Sequence, residues 1–156
     1  MDDLGLSLAQ VTISKVTLDR VEDVVSLFDA YRQFYEQKPD LGGARAFLSE
    51  RLTEEESIVL LAKDGDRAVG FAQLYPSFSS ISMRRIWILN DLFVSPTGRG
   101  RGIGKALLKA CEGLAVETGA KELILETMKT NLTAQHLYES TGWKRDEVFY
   151  RYYLPV

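Results

Sequence analysis

Seven residues, Arg99-Gly100-Arg101-Gly102-Ile103-Gly104-Lys105, join an apolar segment of extended character to an apolar segment of helical character. Glycine lets the backbone approach a ligand closely and take a positive φ, so successive N–H groups can converge on phosphate oxygens. The N-terminus of the following helix would add more N–H groups and a partial positive charge. Two arginines and a lysine of the run surround the same concavity. The run therefore predicts a binding site for a ligand with several phosphates.

Two common phosphate-binding motifs do not fit this run. The dinucleotide motif G-x-G-x-x-G fails, because glycines alternate from Gly98 to Gly104 and none follows a G-x-G pair by three places. The triphosphate motif G-x-x-x-x-G-K-[ST] fails because Arg99 occupies its first glycine position and Ala106 follows Lys105. The sequence therefore predicts neither a Rossmann dinucleotide site nor a nucleoside triphosphate site.

The spacing Arg99-x-x-Gly102-x-Gly104 resembles the [QR]-x-x-G-x-[GA] signature of the GNAT acyltransferases, which bind coenzyme A. Two more segments are similar to that family in order and spacing. Asp91-Leu92-Phe93-Val94-Ser95-Pro96 precedes the run, and Asn131-x-x-Ala134-x-x-Leu137-Tyr138-x-x-x-Gly142-Trp143 follows it. The resemblance implies a single GNAT domain over residues 1–156 and acetyl-coenzyme A as its cofactor.

The same resemblance implies an α/β (α+β) fold with a mixed, mostly antiparallel sheet of about seven strands, flanked by about four helices, whose central strands splay apart. Periodicity and turn signals, among them Asp64-Gly65-Asp66, predict an element order that agrees with it. The predicted elements are a strand at 11–16, helices at 19–35 and 43–52, strands at 57–62, 68–75 and 83–94, a helix at 103–119, a strand at 122–127, a helix at 131–140 and two strands within 143–154.

Length and composition favour one globular domain, since 156 residues with 46% hydrophobic content can form a full core. No apolar stretch reaches the length of a membrane span, and Asp2 and Asp3 stand where a signal peptide would be basic, so we expect a cytoplasmic protein. One cysteine and one histidine give no zinc-binding pattern, so no metal is expected. We expect Cys111 in the core and His136 on the surface.

Charge is distributed unevenly along the chain. Residues 1–56 carry a net charge of −6, whereas residues 57–156 carry +3. An anionic cofactor suits the basic part, and a cationic amine would be attracted to the acidic part. The acidic run Glu54-Glu55-Glu56 is equally compatible with an ordinary solvated surface. No stripe of basic and aromatic residues predicts nucleic acid as a partner.

The resemblance assigns cofactor contacts to three stretches of the chain. In the family, the pantetheine arm lies beside the strand residues that correspond to Leu92, Phe93 and Val94, and a backbone N–H near Phe93 or Val94 would bind the oxyanion. Asn131 matches a cofactor-binding asparagine, although it could also be an N-cap. The implied cofactor residues are Leu92, Phe93, Val94, Arg99, Gly100, Arg101, Gly102, Ile103, Gly104, Lys105, Asn131, Ala134 and Tyr138.

Two side chains are implied in catalysis. Tyr138 matches the tyrosine that protonates the coenzyme sulfur in many family members, though its spacing on the helix also suits packing. Asp91 is the carboxylate nearest to the reacting centre in sequence, and it could bind the ammonium, relay a proton through water or anchor its strand. Polyamine acetyltransferases usually carry two adjacent carboxylates there, but the first of them is Asn90 in this sequence. Glu126 is the alternative carboxylate.

The predicted acceptor site combines aromatic and acidic residues. Aromatic rings near the end of the first helix could hold an ammonium by cation–π contact, although they also fit a core stripe. Trp87 could line the acceptor cleft or fill the core. The predicted acceptor residues are Tyr31, Tyr35, Trp87, Asn90, Asp91 and Glu126.

Together these features predict direct acetyl transfer from acetyl-coenzyme A to a primary amine, a small cationic amine or polyamine. The alternatives are a protein lysine or N-terminus as acceptor, or a coenzyme A-responsive binding module. The aromatic tail at 149–154 predicts an edge strand that pairs with a second copy in a homodimer, or one that simply completes the sheet.

Overall fold

The computed structural model of the protein describes residues 10–156. Asp2 and Asp3, which entered the prediction about a signal peptide, lie outside these residues. The chain forms two compact units, one ending at Glu126 and the other spanning Thr127–Val156. Within the described residues, the helices are all too short or too polar to cross a membrane.

The first unit is built on a five-stranded sheet whose strands follow one another in chain order. Neighbouring strands run antiparallel except for the last pair, which is parallel. The strands are β1 (Val11–Lys15), β2 (Ile58–Asp64), β3 (Arg67–Ser79), β4 (Arg84–Val94) and β5 (Leu123–Ile124).

The hairpin predicted between β2 and β3 is confirmed. Gly65 takes the left-handed conformation at φ 60°, which an L side chain adopts only with strain, and Asp64 pairs with Arg67 across the turn. Both strands carry continuous buried runs that are apolar except for Gln73 in β3, since the sheet is covered on both faces.

Helices α1 (Glu22–Phe34) and α2 (Leu41–Thr53) cover one face of the sheet. A short 3-10 helix at Leu18–Arg20 replaces the predicted start of α1. The buried stripe on α1 begins at Val24 and includes Phe28, as helical spacing predicts. The stripe ends before Tyr35, which is 41% exposed.

Helix α3 (Ile103–Glu117) covers the opposite face. Its buried side includes Ile103, Leu107, Cys111 and Leu114, the face predicted from the sequence. The helix approaches β3 closely at Gly70, where a Cβ atom would lie 3.0 Å from the Phe93 carbonyl oxygen and 3.3 Å from the Leu107 side chain. Glycine at this position therefore sets the distance between helix and sheet.

The second unit contains helix α4 (Leu132–Ser140), as predicted. The two strands predicted within 143–154 are not formed, so the described residues hold five strands and not about seven. A strand exists only through hydrogen bonds to a neighbouring strand. Here the N–H groups of Val148 and Phe149 instead donate to the Asp146 side chain, at 2.8 and 3.1 Å. The sequence supplies strand propensity in the tail, but propensity alone provides no partner.

Candidate active site

The segment between β4 and α3 has the backbone of an anion-binding loop. Gly100 and Gly102 are both left-handed, at φ 76° and 74°. A Cβ on Gly100 would meet open space, so conformation and not crowding selects glycine there. Gly102 is the N-cap of α3 and offers no side chain to the N–H groups of the first turn. Those N–H groups have no acceptor within the helix, so they can bind phosphate oxygens.

The three basic side chains of this loop have different surroundings. Arg99 and Lys105 are exposed, and Arg99 donates from Nε to the Val94 carbonyl oxygen at 3.2 Å. Arg101 donates from Nη1 to the Asp64 Oδ2 atom at 2.7 Å, and its side chain is 12% exposed. Uncapped N–H groups, left-handed glycines and nearby cations fit the phosphates of coenzyme A.

Strand β4 carries one residue more than the part of β3 that faces it. Gln73 pairs with Asp91 and Leu74 pairs with Leu89, which leaves Asn90 as a β-bulge. Adjacent residues of β3 point to opposite faces, so Asp91 and Leu89 lie on opposite faces although they are two residues apart. The bulge therefore directs Asp91 to the face covered by α1 and α2.

The pairing of β4 with β5 is short. In the described residues it consists of Trp87 with Leu123 and Ile88 with Ile124. The strands separate beyond these pairs, which is the splay expected of the fold. On that edge of β4, residues 92–94 have no strand partner among the described residues of the first unit, so an extended ligand could bind their backbone groups there.

Asp91 is a buried carboxylate with two amide donors. Its side chain accepts hydrogen bonds from Gln73 Nε2 at 2.7 Å and Asn90 Nδ2 at 3.1 Å, and the residue is 5% exposed. Burial raises its pKa above the ordinary value, while hydrogen bonds from Gln73, Tyr31 and Asn90 partly oppose that rise. A carboxylate in this environment gains stability from a bound cation.

Asp91 lies in the wall of a cavity of about 410 Å³ between the sheet and the first two helices. The size suits a small molecule or a single extended side chain. The lining residues come from α1, from α2 and its N-cap residue, and from β3 and β4. They are Phe28, Tyr31, Arg32, Asp40, Gly43, Ala44, Phe47, Tyr75, Asn90 and Asp91.

Aromatic rings form much of this cavity's lining. Phe28 stacks on Phe47 with centroids 5.8 Å apart, and Tyr31 meets Phe71 edge to face at 5.7 Å. The Tyr31 hydroxyl reaches the Asn90 carbonyl oxygen at 3.5 Å. Burial and the negative charge of Asp91 raise the pKa of Tyr75 to about 12, so its hydroxyl stays protonated. The cavity thus offers π faces and one buried negative group, the combination that holds an ammonium.

The rim of the cavity depends on a second buried carboxylate, Asp29, which is 3% exposed. It accepts from Arg32 Nη1 at 2.8 Å and from the backbone N–H of Asp40 at 3.0 Å. These donors hold its pKa below the ordinary value. Asp40 in turn caps α2 through the Gly43 N–H at 2.8 Å, and a Cβ on Gly43 would collide with the Asp40 carboxylate. Asp29 therefore fixes the connection between α1 and α2 at the cavity mouth.

Three of the six predicted acceptor residues line the cavity: Tyr31, Asn90 and Asp91. Trp87 lies on the other face of the sheet, the one that α3 covers. It is two residues from Leu89, with no bulge between them, so both side chains share that face. It is 4% exposed there, and its Nε1 donates to Thr118 Oγ1 at 2.8 Å. Tyr35 and Glu126 are exposed and outside the lining.

Several lining residues were missed by sequence reasoning. In the sequence, Phe28 and Phe47 fall within predicted helices and look like ordinary core residues. Tyr75 falls at the end of a predicted strand, which gives no sign of a cavity. Asp40 carries a recognisable N-cap signal, but that signal gives no indication of a cavity. These residues become neighbours only when α1 and α2 pack on β3 and β4.

Within the second unit, Asn131 caps α4 by accepting the Ala134 N–H at 3.1 Å. The cap that the sequence allowed is therefore present. Tyr138 is half-buried and packs against Trp143 with ring centroids 6.0 Å apart. His136 is exposed, as predicted.

Cys111 is fully buried, as predicted, and burial raises the pKa of its thiol to about 12. A thiol that remains protonated and inaccessible is a poor nucleophile. Residues 10–156 contain no group of three or more His, Cys, Asp or Glu side chains placed to hold a metal ion.

Comparison with known proteins gives a consistent result. The model of the acetyltransferase (GNAT) family matches residues 24–143. The uncharacterised N-acetyltransferase YhfO of Bacillus subtilis (strain 168) is 49% identical over 133 residues, covering 85% of this chain and 89% of that protein. A crystal structure of a probable acetyltransferase superposes with a TM-score of 0.88 at 39% identity, over 93% of this chain and 97% of that one.

A structure determined with coenzyme A shares the same fold. It is an aminoglycoside N-acetyltransferase in complex with CoA, with a TM-score of 0.75 at 22% identity. The match covers 91% of this chain and 94% of that one.

The environment of Asp91 predicts a pH-dependent difference between the wild-type protein and Asp91→Asn. Because the folded-state pKa is raised, the native protein binds more protons than the unfolded chain above the ordinary value of 3.8. The contribution of Asp91 to stability is therefore present at low pH and lost as pH rises through the folded pKa. Between pH 3.8 and the folded-state pKa of Asp91, the free energy of unfolding of wild type should therefore fall relative to that of Asp91→Asn. The fall is at most about 1.4 kcal/mol per pH unit.

Urea denaturation of both proteins across this pH range measures the difference. Gln73 Oε1 is buried without a hydrogen-bond partner, so a flipped Gln73 amide can accept from the amide that Asp91→Asn introduces. A difference that stays constant or rises with pH would contradict the raised pKa.

Proposed function

Because this chain belongs to the GNAT family of acetyltransferases and uses acetyl-coenzyme A, we propose that it acetylates a small cationic amine, either a monoamine or a polyamine. One observation carries the proposal: buried Asp91 lies in a cavity of about 410 Å³ whose lining includes four aromatic rings. The aromatic rings would hold the body of the amine, and Asp91 would bind its ammonium group.

The proposed mechanism is direct transfer within a ternary complex. Bound acetyl-coenzyme A supplies the activated acetyl group. Asp91 accepts a proton from the ammonium, directly or through water, which leaves the amine lone pair free to form the new N–C bond. A backbone N–H of Phe93 or Val94 stabilises the oxyanion. Tyr138 would donate a proton to the departing sulfur as the C–S bond breaks, and the new amide nitrogen would return a proton to the tyrosinate through water.

The state of Cys111 supports direct transfer. An acyl-enzyme would require an accessible thiolate, whereas this thiol is buried and its pKa is about 12. A free cysteine also suits the reducing cytoplasm, which is the location we propose. The family match extends from α1 to Trp143 and so spans both units, which supports one catalytic domain.

The acceptor class is tested by measuring thiol release from acetyl-coenzyme A with diamines, polyamines, amino acids, aminoglycosides and basic peptides. We expect turnover confined to small cationic amines. Asp91→Asn should lower kcat/KM for that acceptor by about 100-fold, because proton removal and ammonium binding are both impaired. Asp19→Asn, on the exposed 3-10 helix, is the matched control and should retain wild-type activity.

Three outcomes would contradict this assignment. Turnover only with basic peptides would make the acceptor a protein group. A loss of activity in Glu126→Gln, with Asp91→Asn unaffected, would move the base to Glu126. Coenzyme binding without turnover on the whole panel would favour a binding module.

The acid role of Tyr138 predicts that Tyr138→Phe lowers kcat by about 100-fold, since the departing thiolate loses its proton donor. Steady-state kinetics from about pH 6 to about pH 9.5 measure the effect. His136→Ala is the matched control, because His136 is exposed on the same helix. Full kcat in Tyr138→Phe throughout this range would leave Tyr138 with a packing role against Trp143.

We also propose that the tail pairs with a second copy of the chain. Phe149, Tyr150, Tyr152, Tyr153 and Leu154 are each at least 79% exposed. Four aromatic side chains of about 150–250 Å² each approach the roughly 800 Å² per partner that a stable interface buries. Arg151 is the one charged residue within this run. An apolar surface of this extent favours association over exposure to water.

Light scattering measures the mass in solution, and we expect a dimer. The double variant Tyr150→Ser and Tyr152→Ser should be a monomer at the same concentration, because it removes two of the largest apolar groups. Val116→Ser removes an apolar side chain that is 76% exposed on α3 and should leave the dimer intact. A monomeric wild-type protein would contradict the proposal.

A further inference from the structure

Arg101 and Asp64 connect the cofactor loop to the central sheet. Arg101 lies between the two left-handed glycines of the loop, and Asp64 is the last residue of β2. The distance from Arg101 Nη1 to Asp64 Oδ2 is 2.7 Å. Their side chains are 12% and 27% exposed, so water screens this ion pair less than a surface pair. The contact joins residues 37 positions apart in sequence.

The carboxylate is held on a rigid element. Asp64 pairs with Val11 on one side and with Arg67 on the other, at the base of the hairpin. Without such a contact the loop would have more conformational freedom than a strand, because glycine, present at Gly100 and Gly102, is the least restricted residue. The ion pair therefore restrains the Gly100–Gly102 segment, whose backbone would lose the most conformational entropy on ordering.

The other two cations of the loop differ from Arg101. Arg99 and Lys105 are exposed, where an anionic ligand can reach them. Arg101 is mostly buried and already bound to a carboxylate. A guanidinium neutralised in this way contributes little net attraction to phosphate.

We propose that Arg101 is a positioning residue: its ion pair with Asp64 holds the Gly100–Gly102 backbone in the conformation that binds the coenzyme A phosphates. The loop N–H groups, Arg99 and Lys105 would make the phosphate contacts. The inference depends on coenzyme A as the cofactor and is independent of the acceptor amine.

The first test measures coenzyme A affinity by calorimetry for Asp64→Asn, Arg101→Gln and the double variant. Each single variant should raise Kd by about 10-fold, the effect of leaving roughly one more backbone residue to be ordered on binding. The double variant should bind as weakly as the weaker single variant, because both changes remove one interaction. Asp66→Asn, in the exposed turn beside Asp64, should leave Kd unchanged.

A direct phosphate contact by Arg101 gives the opposite pattern. Asp64→Asn would then leave Kd unchanged or lower it, because the freed guanidinium gains net charge, whereas Arg101→Gln alone would raise it. That result would overturn the proposal, as would additive losses in the double variant.

The second test uses the protein without cofactor, so it separates this inference from any failure of the acetyl-transfer assay. Amide hydrogen exchange over residues 99–104 should quicken in Asp64→Asn and in Arg101→Gln, and stay at the wild-type rate in Asp66→Asn. Exchange unaffected by Asp64→Asn would overturn the positioning role. If the neutral variants prove unstable, Arg101→Lys and Asp64→Glu replace them in the test. Both keep the two charges, so each should preserve most of the coenzyme A affinity.

Discussion

Asn90 stands in β4 without a partner on β3, and this single extra residue determines which side chains meet on each face of the sheet. Without it, Leu89 and Asp91 would share a face, as residues two apart do in a regular strand. With it, Asp91 faces α1 and α2 beside Gln73, while Trp87 and Leu89 face α3. The position of the Asp91 carboxylate in the cavity wall, beside Gln73, follows from that change of face. The backbone distortion sits at the candidate active site, where bulges commonly redirect a functional side chain.

The cofactor loop and the Asp91 cavity carry opposite charges. At the cofactor loop, uncapped backbone N–H groups and exposed Arg99 and Lys105 provide attraction for phosphate. In the cavity between the sheet and the first two helices, Asp91 provides one buried negative group among aromatic rings. Its burial costs stability when it is ionised, and a bound ammonium would offset that cost. A site that destabilises the empty protein and is relieved by its ligand is typical of a binding role rather than a structural one.

Both regions are held in place by partly buried ion pairs that lie next to them. Asp29 fixes the connection between α1 and α2 through Arg32 and the Asp40 backbone. Arg101 reaches Asp64 at the end of β2. In each case a charged side chain on one element stabilises a connecting segment with little core of its own. The rigid sheet thus carries two segments whose geometry is fixed by polar contacts, since apolar packing alone does not specify a loop conformation.

Much of the fold follows from local sequence. The period of Ile103, Leu107 and Cys111 predicted the buried face of α3, the Asp64-Gly65-Asp66 turn predicted the hairpin, and the glycine run predicted the loop before α3. These signals are readable because each depends on residues within a few positions of one another. Tertiary structure alone decided four other features. They are the bulge at Asn90, the cavity lining, the partner of Arg101 and the absence of strands in the tail. Each depends on which distant segment supplies the opposing hydrogen bond, ion pair or ring. Local propensity determines which secondary structure a segment can adopt, whereas long-range packing determines which distant segment it pairs with.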